Sequence, residues 1–156
     1  MEEVRGVQIK IKDTTFLKNN TYKNEKQLEK EIHDNINDFI ESYYGDEVVE
    51  SSTNKNCLAN NNKQIKGKRV DIYVKGKKCE YIIECKNSKY SYENIQAIGQ
   101  LLNYGRYFKR AKLMLVTTLF DIDTARTIQQ YNLPIRIVMV YGDKLLEYGG
   151  EEPWQQ

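Results

Sequence analysis

Two runs in the second half of the chain, KLMLVTT (112–118) and PIRIVMV (134–140), are almost continuously apolar. A strand with one wet face alternates between apolar and polar residues. A strand without that alternation is covered on both faces, as in a sheet packed between layers of helices. These two runs therefore predict strands buried in a central sheet, and the element order α-β-β-β-α-β-α-β read below makes that sheet mixed, of α/β type and flanked by helices. The chain has 156 residues, enough for one such unit, so residues 1–156 read as a single domain.

The rest of the chain supplies the other elements. Val7, Ile9 and Ile11 alternate with polar residues and predict a short strand. Asn24, with Gln27 three residues on, forms a capping box. Leu28, Ile32, Ile36, Phe39, Ile40 and Tyr43 then repeat at helical spacing, predicting one helix over about 25–44 that ends at Gly45. A short strand is expected around Val48 and Val49. Residues 51–68 are Asn- and Lys-rich and nearly free of apolar residues, which predicts a long flexible basic loop. Residues 69–75 and 79–86 read as an antiparallel hairpin turning at Gly76. Ser91 or Ser88 opens a second helix reaching about Lys109, and Asp121 or Asp123 caps a third that runs to about Tyr131. LLEY (145–148) is a last short strand, and 149–156 a loose tail.

Composition narrows the chemistry. The formal charge is +2, with 24 Lys and Arg against 22 Asp and Glu. The three cysteines, Cys57, Cys79 and Cys85, are odd in number and lack C-x-x-C spacing. Neither a disulfide framework nor a zinc or iron–sulfur site is expected, and a reducing, cytoplasmic location fits. His33 is the one histidine, which excludes multi-histidine metal sites and argues against a Ser-His-Asp triad. No stretch approaches the roughly 18 apolar residues of a membrane span, and MEEVRGVQIK has no signal-peptide core. No membrane association is expected.

Charge is unevenly distributed. Between Lys55 and Lys78 stand eight basic residues, Lys55, Lys63, Lys66, Lys68, Arg69, Lys75, Lys77 and Lys78, against a single acid, Asp71. Such a block either tracks phosphates or is a solvated Lys-rich loop.

That acid has company. On a strand over 79–86, Ile82, Glu84 and Lys86 share one face and Tyr81, Ile83 and Cys85 the other. The hairpin brings Asp71 near Glu84. Two carboxylates beside a lysine form a candidate Mg²⁺ site, because magnesium takes one or two carboxylates and keeps several waters. The alternative is a surface cluster at a strand end. On the wheel of the predicted 25–44 helix, Glu25 falls within about 5° of the apolar centre and Glu29 on its edge, while Glu31 faces solvent. Glu25 is thus either a third carboxylate for the site or a first-turn acid favoured by the helix dipole. On the second helix, Gln100 and Tyr104 lie one turn apart on a polar stripe.

The residues GKRVD (67–71), YIIECK (81–86) and QLLNY (100–104) resemble the signature of the PD-(D/E)xK nuclease superfamily. Twelve residues separate Asp71 from Glu84, and Val70 stands where the family name has proline. Q-x-x-x-Y is similar to an extra motif of the RecB-type exonuclease branch. EKQL (25–28) looks like the helix-one glutamate motif of archaeal Holliday-junction resolvases. Small size and a Lys/Asn/Tyr-rich sequence also resemble stand-alone nucleases of archaeal viruses. The resemblance spans about residues 25–118. It implies a restriction-endonuclease-like fold with Asp71, Glu84, the Cys85 carbonyl and Glu25 as ligands of Mg²⁺ or Mn²⁺. It further implies Lys86 as catalytic lysine, with Gln100 and Tyr104 positioning the scissile phosphate.

The function expected is metal-dependent hydrolysis of DNA, mainly linear duplex and with little sequence specificity. Lys55, Lys63, Lys66, Lys68, Arg69, Lys77 and Lys78 are expected to hold the backbone. Junction resolution by a homodimer is the enzymatic alternative. A non-catalytic DNA-binding module that keeps the fold is the other.

Overall fold

The computed structural model describes residues 2–13, 17, 21–58, 64–108, 110–142 and 144–148; of 2, 56, 58 and 64–68 only the backbone is described. The order is β1 (Glu2–Val4), β2 (Val7–Asp13), α1 (Glu25–Asp34), α2 (Ile36–Tyr44), β3 (Val48–Leu58), β4 (Gln64–Gly76), β5 (Glu80–Lys86), α3 (Ser91–Gly105), β6 (Lys112–Thr117), α4 (Ile122–Gln130), β7 (Ile135–Tyr141) and β8 (Lys144–Tyr148). The eight strands form one mixed sheet in the order β1-β2-β8-β7-β6-β5-β4-β3. β5, β6 and β7 are parallel, and every other neighbouring pair is antiparallel.

The apolar runs explain this layering. In β6, Leu113 and Leu115 pack with Ala97, Leu101, Ala125 and Ile128 of α3 and α4 on one face. Met114 and Val116 pack with Leu28, Ile32, Phe39 and Ile40 of α1 and α2 on the other. The charge inside the β7 run, Arg136, is accommodated by a buried ion pair with Glu147 at 2.9 Å and by the Tyr44 ring, 4.5 Å from its guanidinium. A buried charge needs such partners.

Two expectations need correction, and one strand was not expected. The helix over 25–44 is two helices. Asn35 leaves helical geometry at φ −114°, and its side chain donates to the Glu31 carbonyl at 2.9 Å. An Asn amide competes in this way with the helical hydrogen-bond ladder. Residues 51–68 are not simply a loop: 51–58 and 64–68 belong to β3 and β4, paired from Val48 opposite Gly76 to Leu58 opposite Gln64. Strand formation here follows from pairing to β4, which a polar, two-sided ribbon allows without any apolar pattern. The strand not expected is β1, folded back on β2 through Arg5 and Gly6, both at positive φ. Paired positive φ values make a tight hairpin turn, but Arg-Gly is not its usual sequence. The remaining elements lie close to the positions expected, with Asn24 capping α1, Asp121 capping α4 and Gly45 closing α2 in the left-handed conformation. The tail 149–156 lies outside the described residues.

The turn joining β4 to β5 is built on a buried carboxylate. Asp46 accepts the Tyr81 hydroxyl at 2.6 Å and the Lys78 N–H at 3.1 Å. These hydrogen bonds outweigh burial and hold its pKa below the usual value. Gly76 passes so close that a Cβ there would overlap the Asp46 carboxylate and sit 2.9 Å from the Tyr81 ring. Gly76→Ala is therefore expected to cost about 1–3 kcal/mol, lowering the melting temperature by several degrees in a thermal scan. An unchanged melting temperature would show that the turn yields freely.

Candidate active site

The β4–β5 ladder runs from Lys75 opposite Glu80 to Ile72 opposite Ile83. One step further, the register sets Asp71 against Glu84. There the connection passes to side chains. The Asp71 N–H donates to Glu84 Oε1 at 3.2 Å, and the Cys85 N–H donates to Asp71 Oδ2 at 2.9 Å. The alternation of β4 breaks at the same place. Val70 and Tyr73 belong to the α3–α4 core, whereas Ile72 and Val74 belong to the α1–α2 core. The two strands part at a pair of carboxylates.

Glu84 is 3% exposed, and Asp71 is half-buried. Burial, and then the Asp71 charge, push the Glu84 carboxyl up to about 8, with a carboxyl–carboxyl hydrogen bond contributing; Lys86 acts in the opposite direction. Like charges directly opposite on paired strands repel, and a shared proton relieves that repulsion. Glu29 is also raised, by burial first and then by Asp71 and Glu25.

Lys86, at the end of β5, lies 3.8 Å from Glu25 Oε1. Glu25 does not occupy a buried stripe. As first residue of α1 its side chain is 48% exposed. Glu31, expected in solvent, is buried beside Tyr22. The two corrections have different causes: Glu25 stands at the open end of α1, whereas Glu31 follows from the end of the helix at Asn35. With the break at Asn35, the face of α1 is set by Leu28 and Ile32 alone, which rotates Glu31 inward. Tyr104, half-buried on α3, packs against the core, and its hydroxyl is raised by burial and then by the Glu84 charge. Gln100, one turn earlier, is exposed. Cys85 is fully buried, and burial followed by the surrounding carboxylates keeps its thiol protonated.

Among the described residues, no three His, Cys, Asp or Glu side chains are grouped to enclose a metal ion. The donors that do converge are the oxygens of Asp71 and Glu84. That all-oxygen pair suits a hard cation which retains most of its water.

The basic residues divide. Lys77 pairs with Glu47 at 2.7 Å and Lys78 donates to the Gly45 carbonyl, both at the hairpin end remote from Lys86. Lys55 and Arg69 lie on the ribbon where β4 runs past β5 with β3 as its neighbour, Lys55 resting 4.1 Å over the Tyr73 ring. Lys63 lies outside the described residues, as do the side chains of Lys66 and Lys68.

A polar network behind Lys86 is not apparent from sequence. Asn94 donates to Asp121 Oδ2 at 2.9 Å and accepts from Ser88 at 2.6 Å. Ser91 donates to Asp121 Oδ1 at 2.8 Å, and Thr118 to Asn87 Oδ1 at 2.8 Å. The network ties the segments after β5 and β6 together and fixes the strand end that carries Lys86. The signals in the sequence were Asp121 as one of two candidate caps and Ser91 or Ser88 as the start of a helix. The second role of Asp121 depends on α3 arriving alongside.

Comparison with known proteins gives no match to any family model, curated protein or solved structure. Among the described residues, no helix is long and apolar enough to cross a membrane.

The raised Glu84 pKa has a stability consequence. In the unfolded chain this group titrates near about 4.3, so between there and about 8 the folded state holds a proton the unfolded chain has lost. Stability from this group is therefore greatest below that window and falls as pH rises through it. In EDTA, Glu84→Gln is expected to match the wild type near pH 4 and to melt several degrees higher at pH 8. A variant melting lower at pH 8 would mean that the ionised carboxylate is favourably held.

Proposed function

We propose that this protein is a metal-dependent nuclease that hydrolyses DNA phosphodiester bonds, with a restriction-endonuclease-like core and a PD-(D/E)xK-type site. The observation that carries the reading is the convergence of buried Glu84 and Asp71 where β4 and β5 separate, with Lys86 two residues beyond. A protein gains little stability from facing two carboxylates across strands. It gains a cation site.

Asp71 and Glu84 would hold a Mg²⁺ or Mn²⁺ ion. The bound ion would supply a water of lowered pKa and draw charge from a phosphate oxygen. The chain's own groups do the rest. Lys86, steered by Glu25, presents a positive charge to the phosphate as negative charge builds on it. Tyr104, whose hydroxyl keeps its proton, supplies a hydrogen-bond donor on the α3 side. The β3–β4 ribbon, with Lys55 and Arg69, offers sequence-independent contacts to the backbone.

Digestion of linear, nicked, supercoiled and four-way-junction DNA with Mg²⁺, Mn²⁺ or EDTA tests the reading. Cleavage is expected with metal only, and selective cutting of junctions would instead favour a resolvase. Lys86→Ala and Glu84→Ala are expected to lose at least about a hundredfold in cleavage rate, with DNA binding largely kept. Undiminished cleavage in both would remove the site assignment.

The ribbon makes its own prediction. Replacing Lys55 and Arg69 together should reduce the log–log salt slope of duplex binding by roughly 0.9 for each phosphate that the variant no longer neutralises. An unchanged slope would leave the ribbon out of the interface.

A further inference from the structure

The segments at the C-terminal edge of β5, β6 and β7 carry four large aromatic side chains in the open. Tyr90 and Tyr92 follow β5, Phe120 follows β6, and Tyr141 ends β7. Tyr90, Tyr92 and Tyr141 are 60%, 61% and 62% exposed, and Phe120 is 39% exposed. Burying an aromatic ring is among the largest apolar gains a fold can make, so four left on one edge require a reason beyond folding.

The rings form two pairs. Tyr90 and Tyr92 stack at 5.7 Å between centroids and 8° between planes. Phe120 and Tyr141 pack at 5.9 Å. The Ser91–Asp121 hydrogen bond, between residues adjacent to Tyr90, Tyr92 and Phe120, joins the two pairs. Ser91 and Phe120 line one pocket, and Asn87, Thr118 and Tyr141 line another of about 360 Å³. Asn87 directly follows Lys86, so the rings and the candidate active site share an edge of the sheet.

Its charges indicate what would sit there. The acids nearby are already engaged: Asp121 by Ser91, Asn94 and Thr124, Asp123 by Arg5 at 4.0 Å, and Glu93 by the Lys89 N–H. Lys89 is the cation next to the stacked pair. An edge with four rings and little net charge suits flat π-faces rather than a row of phosphates. A duplex hides its base faces, whereas an unpaired strand offers them.

We propose that this aromatic edge is a stacking platform for the bases of a single-stranded nucleic acid, leading an unpaired strand to the site at Lys86. The proposal rests on the nuclease reading for its purpose but not for its test. Binding of labelled single-stranded and blunt-duplex oligonucleotides is measured by anisotropy in EDTA, on a Glu84→Gln background that removes cleavage. Tyr90→Ala/Tyr92→Ala and Phe120→Ala/Tyr141→Ala should each weaken single-strand binding about tenfold or more and duplex binding much less. Tyr141→Phe, which keeps the ring, should bind like its parent, and thermal melts confirm that each variant is folded. Equal losses on both oligonucleotides, or no loss, would overturn the proposal. So would self-association of the parent that the alanine variants abolish, since the rings would then serve a second copy of this chain. Selective single-strand loss in a protein that cuts nothing would leave the platform standing and remove the nuclease reading. Cutting without selective loss would do the reverse.

Discussion

Beyond Ile72 and Ile83, two strands that could have continued their backbone ladder instead part, and two carboxylates stand in the gap. Asp71 accepts a main-chain N–H from β5, and Glu84 accepts one from β4. The bonds are reciprocal, so neither side chain can be removed without loosening the other strand. The pair also carries a cost, because Glu84 is buried opposite a like charge and retains a proton far above its ordinary range. Where these strands part decides how far the β3–β4 ribbon runs free, where Lys86 stands, and what approaches from α1 and α3.

The sheet around this gap is organised to hold it still. β5, β6 and β7 are parallel and dry on both faces, so their C-terminal ends emerge together from a rigid frame. The Asp121 network clamps the segments that follow β5 and β6. At the opposite end, Asp46 fixes the β4–β5 turn and Arg136 neutralises Glu147. Rigid strands with side chains of function at one edge are the usual placement for chemistry on an α/β sheet. The exposed aromatic rings lie on that same edge.

Much of this was legible in the sequence because it is local. The dry runs at 112–118 and 134–140 required helices on both faces, and the hairpin turning at Gly76 brought Asp71 near Glu84. The caps at Asn24 and Asp121 needed only their own next turn. What was not legible depends on distant partners. The polar ribbon becomes strand through pairing rather than pattern. The break at Asn35 is invisible to a wheel that runs across it, which put Glu31 in solvent, and a wheel takes no account of helix ends, which put Glu25 on a buried stripe. Ser91 and Asn94 meet Asp121 only because α3 and α4 lie on the same face.

The Asp71–Glu84 pair either takes a divalent cation or only braces the strands. Thermal melting of the wild type and of Asp71→Asn, each in EDTA and in excess Mn²⁺ or Mg²⁺, separates the two without any nucleic acid. Asn keeps an oxygen for the Cys85 N–H but removes a charge. The wild type should gain about 5 °C or more with metal, as binding to the folded state alone requires. Asp71→Asn should be at least as stable as the wild type in EDTA and gain little from metal. A destabilised Asp71→Asn, with both proteins indifferent to metal, would show that the carboxylates are only a brace and would contradict the cation site.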